Sequence, residues 1–287
     1  MDNQNAIATV FYDGVEKYLK FFLESIEKQT YKDFKLIIFN NGLNNAIHFL
    51  ENTQLDYKVI DISEKPILAR VKLIAYLKDN NFEKVIFSDA DDMLYEDRCE
   101  QSFLKLNDTD IVVNDFDIID EEGNILINNY LSRRLKDRLD VTENCIKNFN
   151  FMGLTNTAAK ISIFKKNYIP LNLSLKAYDW YLWKKLLIEN NKAIFFSSIK
   201  TFYRLHESNI SSLTSKVQEK EVINGIKEKL THYSEFIESN REYKIIRDKL
   251  IIMERKSNKN NWVEDFQKKI ENRKILFPLW WEKIIVE

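Results

Sequence analysis

Four short β-favouring runs recur early in the chain: "AIATVF" (6–11), "FKLIIF" (34–39), "YKVIDI" (57–62) and "KVIFS" (84–88). Between them lie stretches with helical spacing. Val15, Tyr18, Leu19, Phe22, Leu23 and Ile26 keep an i, i+3, i+4, i+7 stripe. A second stretch, "KPILARVKLIAYLKDNN" (65–81), has Pro66 in a first helical turn and puts Ile67, Val71, Ile74 and Ala75 on one face. Strand and helix in alternation, with strands that are apolar on both faces, constrain the fold strongly. Such strands need cover on two sides, which a mostly parallel sheet flanked by helices provides. The fold class is therefore α/β.

In such sheets ligands bind beyond the carboxyl ends of the strands. The fourth run leads into "DADD", so Asp89, Ala90, Asp91 and Asp92 stand at that edge. Crowded carboxylates repel one another and resist desolvation, so they call for a cation, a proton or an opening to water. Oxygen-rich clusters suit Mg²⁺ or Mn²⁺, which commonly share their ligands with substrate phosphates. An ordinary acidic strand-to-helix loop would look the same in isolation. A phosphatase-type aspartate would follow the first strand, not the fourth, and the five scattered glycines offer no P-loop.

Composition narrows the classes further. The 287 residues, 45% of them hydrophobic, suffice for one large domain, or for one domain plus an appendage. The 43 basic and 44 acidic residues nearly cancel, and no basic run is interleaved with aromatics, so nucleic acid is not an expected partner. Two cysteines, Cys99 and Cys145, make neither a disulfide framework nor a metal knuckle. The opening "MDNQNAIATVFYDG" is polar and acidic where a signal peptide is basic and then apolar. No apolar run reaches the roughly 20 residues that span a bilayer. These features lead us to expect a cytoplasmic protein. The abundance of Lys, Asn and Ile fits an AT-rich bacterial genome.

Beyond the first half, "DIVVNDFDIIDEEGNILINN" (110–129) reads as two strands around a Gly-containing turn, and "RRLKDRLD" (133–140) as a solvated charged connector. "AKISIF" (159–164) reads as a strand, "YDWYLWKKLLIEN" (178–190) as a helix and "AIFFSSIKTFYRL" (193–205) as strand, bend and strand. From about residue 216 the chain is helical and charged.

Several of these segments, in order, resemble glycosyltransferase family 2. "TVFYDGVEKYLKFFLESIEKQTYKDFKLIIFNNG" is similar to the family's opening, "ILARVKLIAYLKDNNFEKVIFSDADD" to its Ala-Arg helix and DxD segment, "AYDWYLWKKL" to its ED-type motif, and "FYRLHESNIS" to the strand and His that follow. The resemblance covers roughly residues 6 to 212. It implies a GT-A fold with a Rossmann-like sheet, a nucleotide-sugar donor and inversion at the anomeric carbon. The expected organisation is a GT-A domain over 1–212, with a donor half to about 120 and an acceptor half after it, and a C-terminal helical extension over 213–287.

The resemblance also implies roles. Tyr12 and Asp13 would border the nucleobase. Asn40 and Asn41 stand where the family usually has an aspartate accepting the uracil N3–H, a bond an asparagine carbonyl can also accept. Arg70 would face the nucleotide, Asp89 the ribose, Ala90 and Asp92 the donor sugar. Asp91 would be the main ligand of Mn²⁺ or Mg²⁺, with Asp89 beside it and His206 reaching the metal or diphosphate. Asp179, preceded by Tyr178 where the family has an acidic residue, would be the general base, although capping the helix is the structural reading of the same residue. Trp180 and Trp183 would line an acceptor sugar if they are not core. The family's Pro before the aromatic turn is replaced by Val10-Phe11.

The expected function is transfer of a sugar, most simply from a UDP-sugar, to a glycan or lipid-linked glycan in bacterial surface polysaccharide or glycolipid synthesis. Two other readings compete: a sugar-1-phosphate nucleotidyltransferase, which would need a Gly-rich basic loop where this chain has "FYDGVEKYLK", and a catalytically silent glycan-binding protein on the same fold. The segment "ILFPLWWEKIIVE" (275–287) reads as packing back onto the domain or against another copy in a homodimer, with peripheral contact with the inner face of the membrane as the alternative.

Overall fold

The computed structural model describes residues 4–206, 219–238, 241–257, 262, 264, 266–268 and 278–284. The first half runs β1 (Asn5–Tyr12), α1 (Glu16–Glu27), β2 (Lys35–Asn41), β3 (Tyr57–Asp61), α2 (Pro66–Asp79), β4 (Lys84–Phe87), β5 (Met93–Leu94) and α3 (Arg98–Lys105). The second half adds β6 (Ile111–Ile119), β7 (Ile125–Ile127), β8 (Leu139–Val141), β9 (Thr157–Lys160), α4 (Tyr178–Ile188) and β10 (Ala193–Arg204). Helices α5 (Glu219–Ser234) and α6 (Arg241–Ser257) and a helical turn at Trp280–Lys283 follow.

One mixed sheet holds the strands in the order β3-β2-β1-β4-β9-β6-β10-β5, with β7 on β6 and β8 on β10. The longer strands pair in parallel: β1 with β2 and β4, β2 with β3, and β6 with β10. The short strands β5, β7, β8 and β9 pair antiparallel. Alternate side chains feed two cores, as the strand period of two requires. Ala6, Ala8, Ile37, Phe39, Val85 and Phe87 pack on the side of α2 and α4. Ile7, Phe11, Leu36, Ile38 and Ile86 pack on the side of α1 and α3. Since β1 lies between β2 and β4, the strand order reverses there, and the crevice at their carboxyl ends receives both Tyr12 and the segment after β4.

Three local expectations change. The strand expected over 159–164 ends at Lys160 and closes into a 3₁₀ turn at Ile161–Ile163. Its neighbour β4 begins at Lys84, the partner of Lys160, so the ladder has run out. The strand, bend and strand expected over 193–205 form one strand, whose register on β6 shifts between Phe196 and Lys200. The charged connector is tied down: Arg134 pairs with Glu282, Asp137 accepts hydrogen bonds from the Ser197 N–H and hydroxyl, and β8 begins at Leu139. The late helices do not stand apart, since Val222, Ile226, Tyr233, Tyr243 and Leu250 join the α4-side core.

Candidate active site

A cleft of about 420 Å³ opens at the carboxyl edge of the sheet. On one side it is lined by Tyr12, Arg70, Asp89, Asp91, Asp92 and His206, and on the other by Asn150, Lys176, Tyr178 and Asp179. Residues far apart in the chain are thus gathered because β1, β4 and β10 end together and α4 begins opposite them.

The acidic loop is held by specific bonds. Asp91 Oδ2 accepts the Tyr12 hydroxyl at 3.1 Å and lies 2.8 Å from His206 Nε2. The His206 ring stacks on Tyr18 with centroids 5.2 Å apart. Asp92 is buried and accepts the backbone N–H of Arg204 at 2.7 Å, while Arg204 Nε donates to the Asp91 carbonyl at 2.7 Å. The Arg204 guanidinium also donates to the carbonyls of Asp120 and Glu121, so one buried arginine ties the acidic loop to the β6–β7 turn. Arg70 Nη2 stands 3.3 Å from Asp89 Oδ1.

Electrostatics follow from this crowding. Burial pushes the Asp89 carboxyl up, and Arg70 partly offsets that. Asp92 is pushed well up by burial and by the charges of Asp91 and Asp89. Burial and the neighbouring carboxylates also raise the Tyr12 phenol, which keeps its proton as a donor to Asp91. Across the cleft, burial raises Asp179 to about 6, against donation from the Trp180 N–H and the Asn150 amide. A carboxylate in that range is ionised at neutral pH and still basic enough to take a proton.

The chain's fit to a divalent cation is partial but coherent. Among the described residues no group of three or more His, Cys, Asp or Glu could hold a metal ion. Asp91 and His206 provide one oxygen and one nitrogen donor at a single point, and an imidazole with a carboxylate suits Mn²⁺ or Mg²⁺ only when a ligand brings further oxygens.

Other expected residues stand elsewhere. Asp13 is exposed in the turn after β1, next to Gly14 at φ +94°, and does not line the cleft. Asn40 is buried: its Nδ2 donates to Asp61 Oδ1 at 2.7 Å and to the Leu43 carbonyl at 3.0 Å, and its Oδ1 accepts the Leu43 N–H. Asn41 exchanges two bonds with the Glu64 backbone. Both asparagines brace loops. Ala90 is fully buried in the α1-side core, so it contributes no surface to the cleft. Trp180 and Trp183 are also fully buried, Trp180 stacked on His232 at 3.7 Å and Trp183 against Phe87 and Phe164. They are core, and an acceptor cannot reach them. Asp179 is not the helix cap, since α4 starts after Ala177 and Asp179 lies in its first turn. Of the "FYRLHESNIS" segment, residues 207–211 lie outside the described residues.

Some cleft residues were missed in the sequence. Asn150 donates to both Asp179 oxygens at 3.3 Å. Its loop comes close at Gly153, where a Cβ would lie 3.7 Å from Asp179 Oδ2. The polar, glycine-containing run "NFNFMGLTNT" was the available signal. Outside the cleft lining, Asp61 at the end of β3 is held by Asn40 and is an exposed carboxylate beside the position where an acidic residue was expected. Trp280 and Trp281 also line the cleft, although both are more than nine-tenths buried. Trp280 and Trp281 thus turn inward.

Comparison with known proteins fits this geometry. The sequence model of Glycosyl transferase family 2 matches residues 6–164. Glycosyltransferase GlyA of Streptococcus pneumoniae is 22% identical over 245 residues, which cover 80% of this chain and 35% of that protein. The teichoic acid poly(glycerol phosphate) polymerase of Staphylococcus epidermidis is 24% identical over 208 residues, covering 70% of this chain and 28% of the polymerase. The chain therefore spans about a third of these relatives' length. Residues 1–349 of S. aureus TarS, crystallised with UDP-GlcNAc, superpose with a TM-score of 0.61 at 16% identity, covering 92% of this chain and 78% of that one. That likeness is one of fold. With the family model spanning more than half of its residues, the chain belongs to glycosyl transferase family 2.

Proposed function

We propose that the chain is an inverting, Mn²⁺- or Mg²⁺-dependent glycosyltransferase that moves a sugar from a UDP-sugar to a hydroxyl of a glycan or lipid-linked glycan in bacterial surface polysaccharide or glycolipid synthesis. The observation that carries this reading is the opposition, across one cleft, of the Asp89–Asp91–Asp92 cluster and the Asp179 carboxylate. UDP as donor is supported by the TarS complexes with UDP and UDP-GlcNAc, and a surface polymer by the teichoic acid polymerase. Among the described residues no helix is long and apolar enough to cross a membrane.

In this reading Asp91 and His206 would hold the divalent cation, and Arg70 and Asp89 border the nucleotide. Asp61, oriented by Asn40, takes the base N–H in place of the aspartate absent from positions 40 and 41. The bound cation would neutralise the charge of the departing diphosphate, which removes the need for a leaving-group acid. Asp179 removes the acceptor hydroxyl's proton as its oxygen forms the bond to the anomeric carbon. The bond from that carbon to the diphosphate oxygen breaks, and its electron pair leaves with the nucleoside diphosphate. Asn150 keeps the Asp179 carboxylate aimed and, with the Trp180 N–H, lowers its basicity against the effect of burial.

A panel of nucleotide sugars, assayed for binding and hydrolysis with and without Mn²⁺ or Mg²⁺, tests this. Metal-dependent turnover of a UDP-sugar is expected. Pyrophosphate release from a nucleoside triphosphate and a sugar 1-phosphate would instead show a nucleotidyltransferase, and glycan binding without turnover a silent binding protein.

A further inference from the structure

The cleft has a wall that the family motifs do not account for. Trp280 and Trp281 lie on a segment just over a hundred residues beyond Asp179, yet both line the same cleft. Charged groups buried around this segment, costly unless they are paired, hold it in place. Glu282, 6% exposed, accepts the Tyr130 hydroxyl at 2.6 Å and pairs with Arg134. The Leu279 N–H donates to Glu282 Oε2 at 3.0 Å and to the Tyr130 hydroxyl at 3.1 Å. Lys283, 1% exposed, pairs with Glu221 at 2.7 Å. Lys229, also 1% exposed, donates to the carbonyls of Trp281 at 3.0 Å, Asn148 at 2.9 Å and Ile284. Tyr130 is in turn fixed by the sheet: Asp115, buried in β6, accepts the N–H groups of Leu131 and Ser132. Helix α5 comes so close at Gly225 that a Cβ there would meet Ile284 Cγ1 at 2.8 Å.

The two rings differ in position. Trp280 is backed into the core, edge-on to Trp180 at 6.1 Å and crossed with Trp281 at 86°. Trp281 is the more open of the pair, at 8% exposure. Phe116 and Tyr203 line the same cleft, so four aromatic side chains share it with the acidic cluster. Sugar rings present C–H faces that pack on aromatic planes, whereas a diphosphate wants cations and N–H donors.

We infer that residues 278–284 are the acceptor-side wall of the cleft and that the Trp281 ring is the platform on which a sugar ring of the acceptor stacks, its hydroxyl toward Asp179. This rests on the proposed transfer reaction and names the acceptor class at that same site: a glycan bound through a pyranose face. Lys229 and Glu282 are positioning residues, which act through the backbone and side chains of the segment.

The test uses the full chain with UDP-GlcNAc as donor and octyl β-D-glucopyranoside and octyl N-acetyl-β-D-glucosaminide as acceptor probes. Trp281→Ala should raise the acceptor KM tenfold or more, with kcat at saturating acceptor far less affected and UDP affinity within about twofold of the unaltered chain. Trp281→Phe should restore the acceptor KM to within a few-fold. Gly225→Val, which displaces the segment from behind, should raise the acceptor KM without replacing any cleft residue, and thermal melting checks that each variant is folded. An acceptor KM unchanged in Trp281→Ala would overturn the inference. So would a loss of UDP affinity equal to the loss for acceptor, because the wall would then serve the donor. Failure of the unaltered chain to bind UDP would overturn the proposed donor, whatever Trp281 does.

Discussion

Asn150 Nδ2 lies 3.3 Å from both carboxylate oxygens of Asp179, and the two residues face the acidic cluster from across the cleft. Only an ionised carboxylate can take a proton, so Asp179→Asn is the sharpest separation of chemistry from binding. Transfer should fall by about 10²–10⁴-fold, with UDP affinity and metal dependence preserved. Transfer assays and nucleotide binding on the same variant provide the check.

The pH profile should carry the same carboxylate. Its base form appears as pH rises through about 6, so transfer should climb across that region and then level off. Asn150 donation lowers this value, and Asn150→Ala should therefore move the acid limb to higher pH. Folding obeys the linked sign. Asp179 holds its proton to about 6 in the native chain against 3.8 for the ordinary group, so the native state binds more protons between these values. That contribution to stability falls as pH rises through the window. Asp179→Asn should consequently melt no lower than the unaltered chain at pH 7.5, with any advantage lost near pH 4.

What could be read from sequence was local. Strand ends and helix stripes depend on neighbouring residues, so the sheet, the Asp89–Asp92 loop, the placement of His206 beside it and that of Asp179 in the same cleft followed from short motifs. The misplaced residues depend on distant partners. Helix α4 is apolar around most of its surface, so its pattern does not say which side Trp180 and Trp183 face. Asn40 looks like a base reader until Asp61, 21 residues on, takes its amide. The tryptophans near the C-terminal end are held at the cleft by distant partners, among them Tyr130, whose hydroxyl donates to Glu282, 152 residues away.

Variants at positions 40 and 61 separate bracing from the proposed recognition. Asn40→Ala leaves a buried Leu43 N–H without its acceptor and should cost roughly 1–3 kcal/mol in urea unfolding. Asp61→Ala takes one acceptor from the Asn40 amide, which keeps the Leu43 carbonyl, so it should cost about 0.5–1.5 kcal/mol and weaken UDP binding by calorimetry.

Trp183 supplies a contrast between core and acceptor site. Its ring packs against Phe87 and Phe164 with centroids 6.0 and 6.4 Å apart and no exposure. Trp183→Ala should destabilise the chain by about 3–5 kcal/mol. Trp183→Phe should fold and keep the acceptor KM of the unaltered chain, which a role in acceptor stacking would not allow.

The central claim is that Asp91 joins a divalent cation to the donor's diphosphate, and calorimetry of UDP binding with and without Mn²⁺ tests it most directly. The unaltered chain should bind UDP at least tenfold more tightly with Mn²⁺ present. Asp91→Ala should lose that enhancement and remain folded, because removing one carboxylate relieves repulsion from Asp89 and Asp92. A folded Asp91→Ala chain that kept the Mn²⁺-dependent gain in UDP affinity would contradict the account.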